Sequence, residues 1–182
     1  AIEYLCENLT PNILKLNLEI INDFTDGLNN ENLRKLVKRC PNLKVLDIRC
    51  NEQITYQGLV AIIENLPFLE YLGLPESIAD ELGLPNNVNL PRLRSLRSMK
   101  KLKELLIGDQ DIWDIGGVEY KSILEREIPL LRRHNGDQMI KNIPNDLEVA
   151  MTDTEDFKEV EFCPNCLGYE NDVWSQHECL KK

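Results

Sequence analysis

Four segments of this chain repeat one pattern, apolar-x-x-apolar-x-apolar: Ile13-Leu16-Leu18, Leu43-Leu46-Ile48, Leu69-Leu72-Leu74 and Leu102-Leu105-Ile107. Their starts lie 30, 26 and 33 residues apart. The last two apolar positions of each are separated by one residue, the alternation of a strand with one buried face. A unit of this size cannot close a core alone, so the units must lie against one another.

A second pattern fills the intervals. Leu33, Leu36, Val37 and Cys40 follow the i, i+3, i+4, i+7 spacing of a half-buried helix, and Leu59, Ile62, Ile63 and Leu66 repeat it. Ile2, Leu5, Cys6 and Leu9 show the same spacing ahead of the first strand. Pro11, Pro41 and Pro67 follow these stretches and end them, because proline cannot continue the hydrogen-bond ladder. Thr55 is the expected N-cap of one helix and Asn29 or Asn30 of the other.

Alternating strands and helices in matching register predict an α/β solenoid, with parallel strands on the concave face and helices on the convex face. An ordinary doubly wound α/β domain is the competing architecture, but its elements would not recur at this interval. The third unit is irregular: Pro75, Gly83, Pro85 and Pro91 predict a loop with a short helical turn. Arg92, Arg94, Arg97, Lys100, Lys101 and Lys103 follow. They read either as a patch for an acidic partner or as a solvated face around inward Leu93, Leu96 and Met99, and the core-like spacing favours the second.

The expected organisation is a repeat domain over 1–135, an acidic linker over 136–162 and a Cys/His tail over 163–182. The chain opens within a helical pattern, which implies a preceding unit or a covering chain at that end. Tyr120, Leu124, Ile128 and Leu131, with Pro129 among them, predict a last degenerate repeat closing near His134. The net charge of −10 is uneven, with 13 basic and 14 acidic residues over 1–108 but 8 and 17 over 109–182. That acidity argues against nucleic acid. No apolar run is long enough for a membrane span.

Cys163, Cys166, His177 and Cys179 supply four ligands of the right kind for structural zinc, although one residue between His177 and Cys179 is tighter than usual. The competing reading is a tail whose thiols bind nothing. No other cofactor is expected. Cys6 and Cys40 fall at apolar helical positions and Cys50 at a strand end, which favours a reducing, intracellular setting.

The stretch Arg39-Cys40-Pro41-Asn42-Leu43-Lys44-Val45-Leu46-Asp47-Ile48, followed by Ile54-Thr55-Tyr56-Gln57-Gly58-Leu59, resembles the cysteine-containing leucine-rich repeat common in F-box proteins. The segment from Tyr120 to His134 is similar to the closing repeat of some of them. The resemblance covers roughly residues 1–135. It implies a leucine-rich-repeat fold and a non-catalytic role: substrate recognition within a cullin-RING ubiquitin ligase, cytoplasmic or nuclear. Such a receptor reaches its Skp-type adaptor through an F-box, which is not visible in this sequence and would have to lie upstream. The alternative is a leucine-rich-repeat scaffold or assembly factor unrelated to ubiquitin.

Residues alternating with the buried leucines are the expected protein-binding surface. They are Lys15, Asn17, Glu19, Val45, Asp47, Arg49, Tyr71, Glu104 and Leu106. Tyr71 and Arg49 are the anchor candidates, since aromatic and arginine side chains dominate hot spots. Catalysis has little support: the two histidines, His134 and His177, lie near no serine-containing nucleophile motif, and no Gly-rich phosphate loop occurs.

Overall fold

The computed structural model describes residues 9–18 and 28–133 and the backbone of 148–150. Four short parallel strands carry the repeated pattern: β1 (Lys15–Asn17), β2 (Val45–Asp47), β3 (Tyr71–Leu74) and β4 (Glu104–Ile107). Helix α1 (Asn30–Arg39) joins β1 to β2, and α2 (Tyr56–Asn65) joins β2 to β3. Two short helices, α3 (Ser77–Leu82) and α4 (Leu90–Ser95), precede β4. Strand β5 (Gln110–Asp111) and helix α5 (Val118–Glu127) follow, then β6 (Glu148–Ala150). The sheet order is β5-β4-β3-β2-β1-β6, with β5 antiparallel to its neighbour.

One hydrogen-bonding scheme recurs from unit to unit. The leucine that opens each strand motif turns its N–H back on the carbonyl three residues earlier, as in Leu43 to Cys40, Leu69 to Leu66, Leu102 to Met99 and Leu131 to Ile128. The next residues dock on the previous unit: Lys44 and Val45 both donate to Leu14 O, Glu70 and Tyr71 to Lys44 O, Lys103 and Glu104 to Glu70 O. Arg132 continues the series by donating to Lys103 O.

Register follows from the pattern. Leu16, Leu46, Leu72 and Leu105 stand side by side across the sheet, each fully buried. They share one core with Leu33, Leu36 and Val37 of α1 and Leu59 and Ile62 of α2. The described helices therefore cover a single face of the sheet.

The helix ends are set by capping. Asn29 Oδ1 accepts from Glu31 N and Asn32 N, each at 3.0 Å, and begins α1. Thr55 caps α2, accepting from Gln57 N. Asn30 is not the cap: its side chain accepts from Thr55 N at 3.0 Å and donates to Thr55 Oγ1 at 2.8 Å, tying one helix start to the next. Glu81, near the end of α3, accepts from Tyr56 N at 2.9 Å and so links that helix to the start of α2. Gly58 lets α1 and α2 approach, because a Cβ there would sit 2.7 Å from Asn30 Oδ1 and 2.8 Å from Ile54 Cγ2.

The third unit has more helix than its prolines suggest. Pro91 sits in the first turn of α4, where a missing N–H has no intrahelical partner to lose, and Asn89 caps that helix. Gly83, at φ 70°, closes α3 in a conformation that a side chain would strain. Leu93, Leu96 and Met99 are all buried, the core reading of the basic stretch. The segment 136–162, expected to be an acidic linker, contributes β6, whose backbone pairs with β1 through Lys15↔Glu148 and Asn17↔Ala150. Among the described residues no helix is long and apolar enough to cross a membrane.

Candidate functional site: the far face of the sheet

The strand residues between the buried leucines lie on the face away from the helices. They form two rows in register, Lys15-Val45-Tyr71-Glu104 and Asn17-Asp47-Gly73-Leu106. The position of these strand residues follows from strand alternation. Their accessibility differs from expectation. Tyr71 is 1% exposed, Val45 2%, Asp47 and Glu104 4%, Lys15 5% and Leu106 6%. Val45, Tyr71 and Leu106 make an apolar cluster of their own, separate from the main core. Tyr71 is thus a packed residue and not an exposed anchor. Alternation says which face a residue takes, but not what covers that face.

Asp47 organises the centre. Its carboxylate accepts from Arg49 Nε at 2.9 Å and Nη2 at 3.0 Å, from the Arg49 backbone N–H at 3.2 Å, and from the Tyr71 hydroxyl at 3.3 Å. Gly73 is required beside it, since a Cβ there would overlap Asp47 Oδ1. Arg49 also reaches Asp109 Oδ1 at 3.5 Å, linking the end of β2 to the turn after β4. Arg49 and Asn17 keep partial exposure, so these two of the nine candidates stay open to an approaching surface. Glu19 lies outside the described residues, as do Cys6, Cys163, Cys166, His177, Cys179 and His134. Among the described residues, no group of three or more His, Cys, Asp or Glu is placed to hold a metal.

Pattern reading passes over two residues that tie elements together, one beside the site and one on the helix side. Asn51 is buried, and its Nδ2 lies 2.8 Å from Leu18 O, 3.0 Å from Ile48 O and 2.9 Å from Arg49 O, binding the ends of β1 and β2. Its signal is its place three residues beyond Ile48, the last apolar position of the motif. Glu127, at the end of α5, answers much of the basic stretch. It meets Arg94 Nε at 2.8 Å, Arg97 Nη2 at 2.7 Å and Arg126 Nε at 2.9 Å. Arg92 pairs with Glu81 at 2.9 Å, and Lys103 with Glu70. A groove of about 190 Å³ remains between Leu96, Met99, Leu102 and Leu130, with Lys100 among its lining residues.

The hydrogen bonds from Arg94 and then Arg126 pull the Glu127 carboxyl down to about 2, from 4.5. A carboxyl lowered in the folded state contributes stability that is present above its unfolded value and lost as pH falls toward the folded one. Acid titration of the wild type should therefore lose stability between pH 4.5 and about 2. A Glu127→Gln variant should lose less over that window, in urea unfolding at successive pH values. Equal slopes would mean the arginines do not hold the charge.

No protein-family model matches this chain. No curated protein matches it either. Among solved structures it is similar to the tropomodulin C-terminal domain of Caenorhabditis elegans, at 19% identity and a TM-score of 0.44, over 77% of this chain and 84% of that one.

Proposed function

We propose that this chain is a non-enzymatic, leucine-rich-repeat protein-binding domain whose units continue as a solenoid. The observation that supports it is the unit-to-unit docking of Val45 on Leu14, Tyr71 on Lys44, Glu104 on Glu70 and Arg132 on Lys103. Such a scheme extends by adding units and leaves one sheet face without helices, the surface that repeat proteins use for partners. The partner meets this face at its rim, through Arg49 and Asn17, where exposure persists. The buried Asp47 holds the Arg49 guanidinium in place, which reduces the ordering cost of binding.

The finer reading is substrate recognition by an F-box receptor of a cullin-RING ubiquitin ligase, in an intracellular, reducing compartment. Its support is the resemblance of Arg39–Ile48 and Ile54–Leu59 to the cysteine-containing repeat. Cys40 is a buried thiol whose Sγ donates to Thr10 O at 3.4 Å, a packing role compatible with that compartment. Affinity purification of the native full-length protein from its own cells tests this reading. Co-recovery of a Skp-type adaptor and a cullin is the expected result. Recovery of one other protein in near-equal amount without them would replace it with a scaffold.

A further inference from the structure

The groove beside Glu127 lies between the segment that leads into β4 and the segment that follows α5. Leu96, Met99, Leu102 and Ile128 form its buried apolar part, and Leu130 stands at it largely exposed. Its volume of about 190 Å³ suits one large apolar side chain, since an apolar cavity of roughly 150 Å³ takes up benzene.

The charged residues that line the groove are Arg97, Lys100 and Arg126, with no acid among them. Glu127 gathers Arg94, Arg97 and Arg126, but one carboxylate against three guanidiniums leaves two positive charges over. The carboxylate side chain is 2% exposed and the three arginine side chains 47 to 64%, so the group turns its cationic side to solvent. Lys100 and Lys101 are exposed and meet no carboxylate among the described residues. On a chain of net charge −10 this is a local reversal of sign. A cleft with apolar walls concentrates such a field.

Apolar surface continues along the same edge. Phe68, Lys101 and Leu130 each stand one residue ahead of a leucine that opens a strand motif. The bonds from Lys103 N to Glu70 O and from Arg132 N to Lys103 O set the three side by side. Among the described residues three large apolar side chains are exposed, and Phe68 and Leu130 are two of them.

We propose that this edge docks an acidic peptide segment of a partner protein, with one large apolar side chain in the groove and carboxylates on Arg97, Lys100 and Arg126. Glu127 holds the guanidiniums before binding, so less freedom is lost when the peptide arrives. A flat anionic membrane is a poorer match, because the apolar part is recessed between two chain segments and a projecting side chain is needed to reach it. The edge lies at the opposite end of the strands from Arg49, and the proposal does not rest on the reading of the far face.

The probe is a fluorescein-labelled peptide with one phenylalanine between two pairs of glutamates, titrated with the full-length protein and followed by anisotropy. Saturable binding that weakens as salt is raised is the expected result. Alanine in place of the phenylalanine should weaken it at least about tenfold. Lys100→Glu and Leu130→Asp should each weaken it at least about fivefold. Both of these side chains are exposed, and urea unfolding checks that the variants fold. Arg49→Ala should bind the peptide as the wild type does. No saturable binding, equal binding of the alanine peptide, equal binding by Lys100→Glu, or loss with Arg49→Ala instead would overturn the proposal. Co-sedimentation with phosphatidylserine vesicles that Lys100→Glu and Leu130→Asp abolish would assign the edge to a membrane and overturn it too. Self-association abolished by the same two variants would do so in favour of a second copy of the chain.

Discussion

Replacing Leu72 by alanine should lower the free energy of unfolding by about 3–4 kcal/mol. Leu72 is fully buried at the centre of the row Leu16-Leu46-Leu72-Leu105, with a strand on each side and helices behind. Neighbours held by ladders on both sides cannot collapse into the space, so the loss combines transfer of the side chain with a cavity that stays open. Urea unfolding of the full-length protein measures it. The same change at Leu130, which is 56% exposed, should cost little. A loss below about 1 kcal/mol at Leu72 would mean the units are not packed as one body.

Tyr71→Ala should destabilise by about 3–5 kcal/mol, the range for removing a large buried aromatic. The change opens the cluster with Val45 and Leu106 and takes one hydrogen bond from Asp47. The sequence points to the opposite behaviour, an exposed anchor whose loss weakens a partner and spares the fold. Unfolding curves decide between them. A stability change under about 1 kcal/mol, with partner affinity lost, would restore Tyr71 to the binding surface.

This contrast marks the limit of what the sequence discloses. Strand alternation and helical periodicity are local, so the row of Leu16, Leu46, Leu72 and Leu105, the helices α1 and α2, and the Thr55 cap are all readable from residue spacing. So is the inward turn of Leu93, Leu96 and Met99. Pro75, Pro85 and Pro91 obscured α3 and α4, because a proline in a first turn reads locally like a helix breaker.

Other features depend on contacts far apart in the chain. Asn30 looks like a cap, but its polar atoms are spent on Thr55 of the next unit. Glu127 looks like one more surface acid until Arg94 and Arg97 arrive from another element. The pairing of Glu148–Ala150 with β1 joins opposite ends of the chain and has no periodic signal at all. Burial of the far face belongs to the same class, since covering is a property of the folded chain and not of a strand.

The central claim is that this chain holds another protein at the rim of its sheet. Its most direct test compares the full-length wild type with Arg49→Ala in parallel affinity purifications from its own cells, read by quantitative mass spectrometry after unfolding curves show that the variant is folded. The account predicts a protein recovered in near-equal amount with the wild type and largely lost from the variant. No such protein with the wild type, or equal recovery with both, would contradict it.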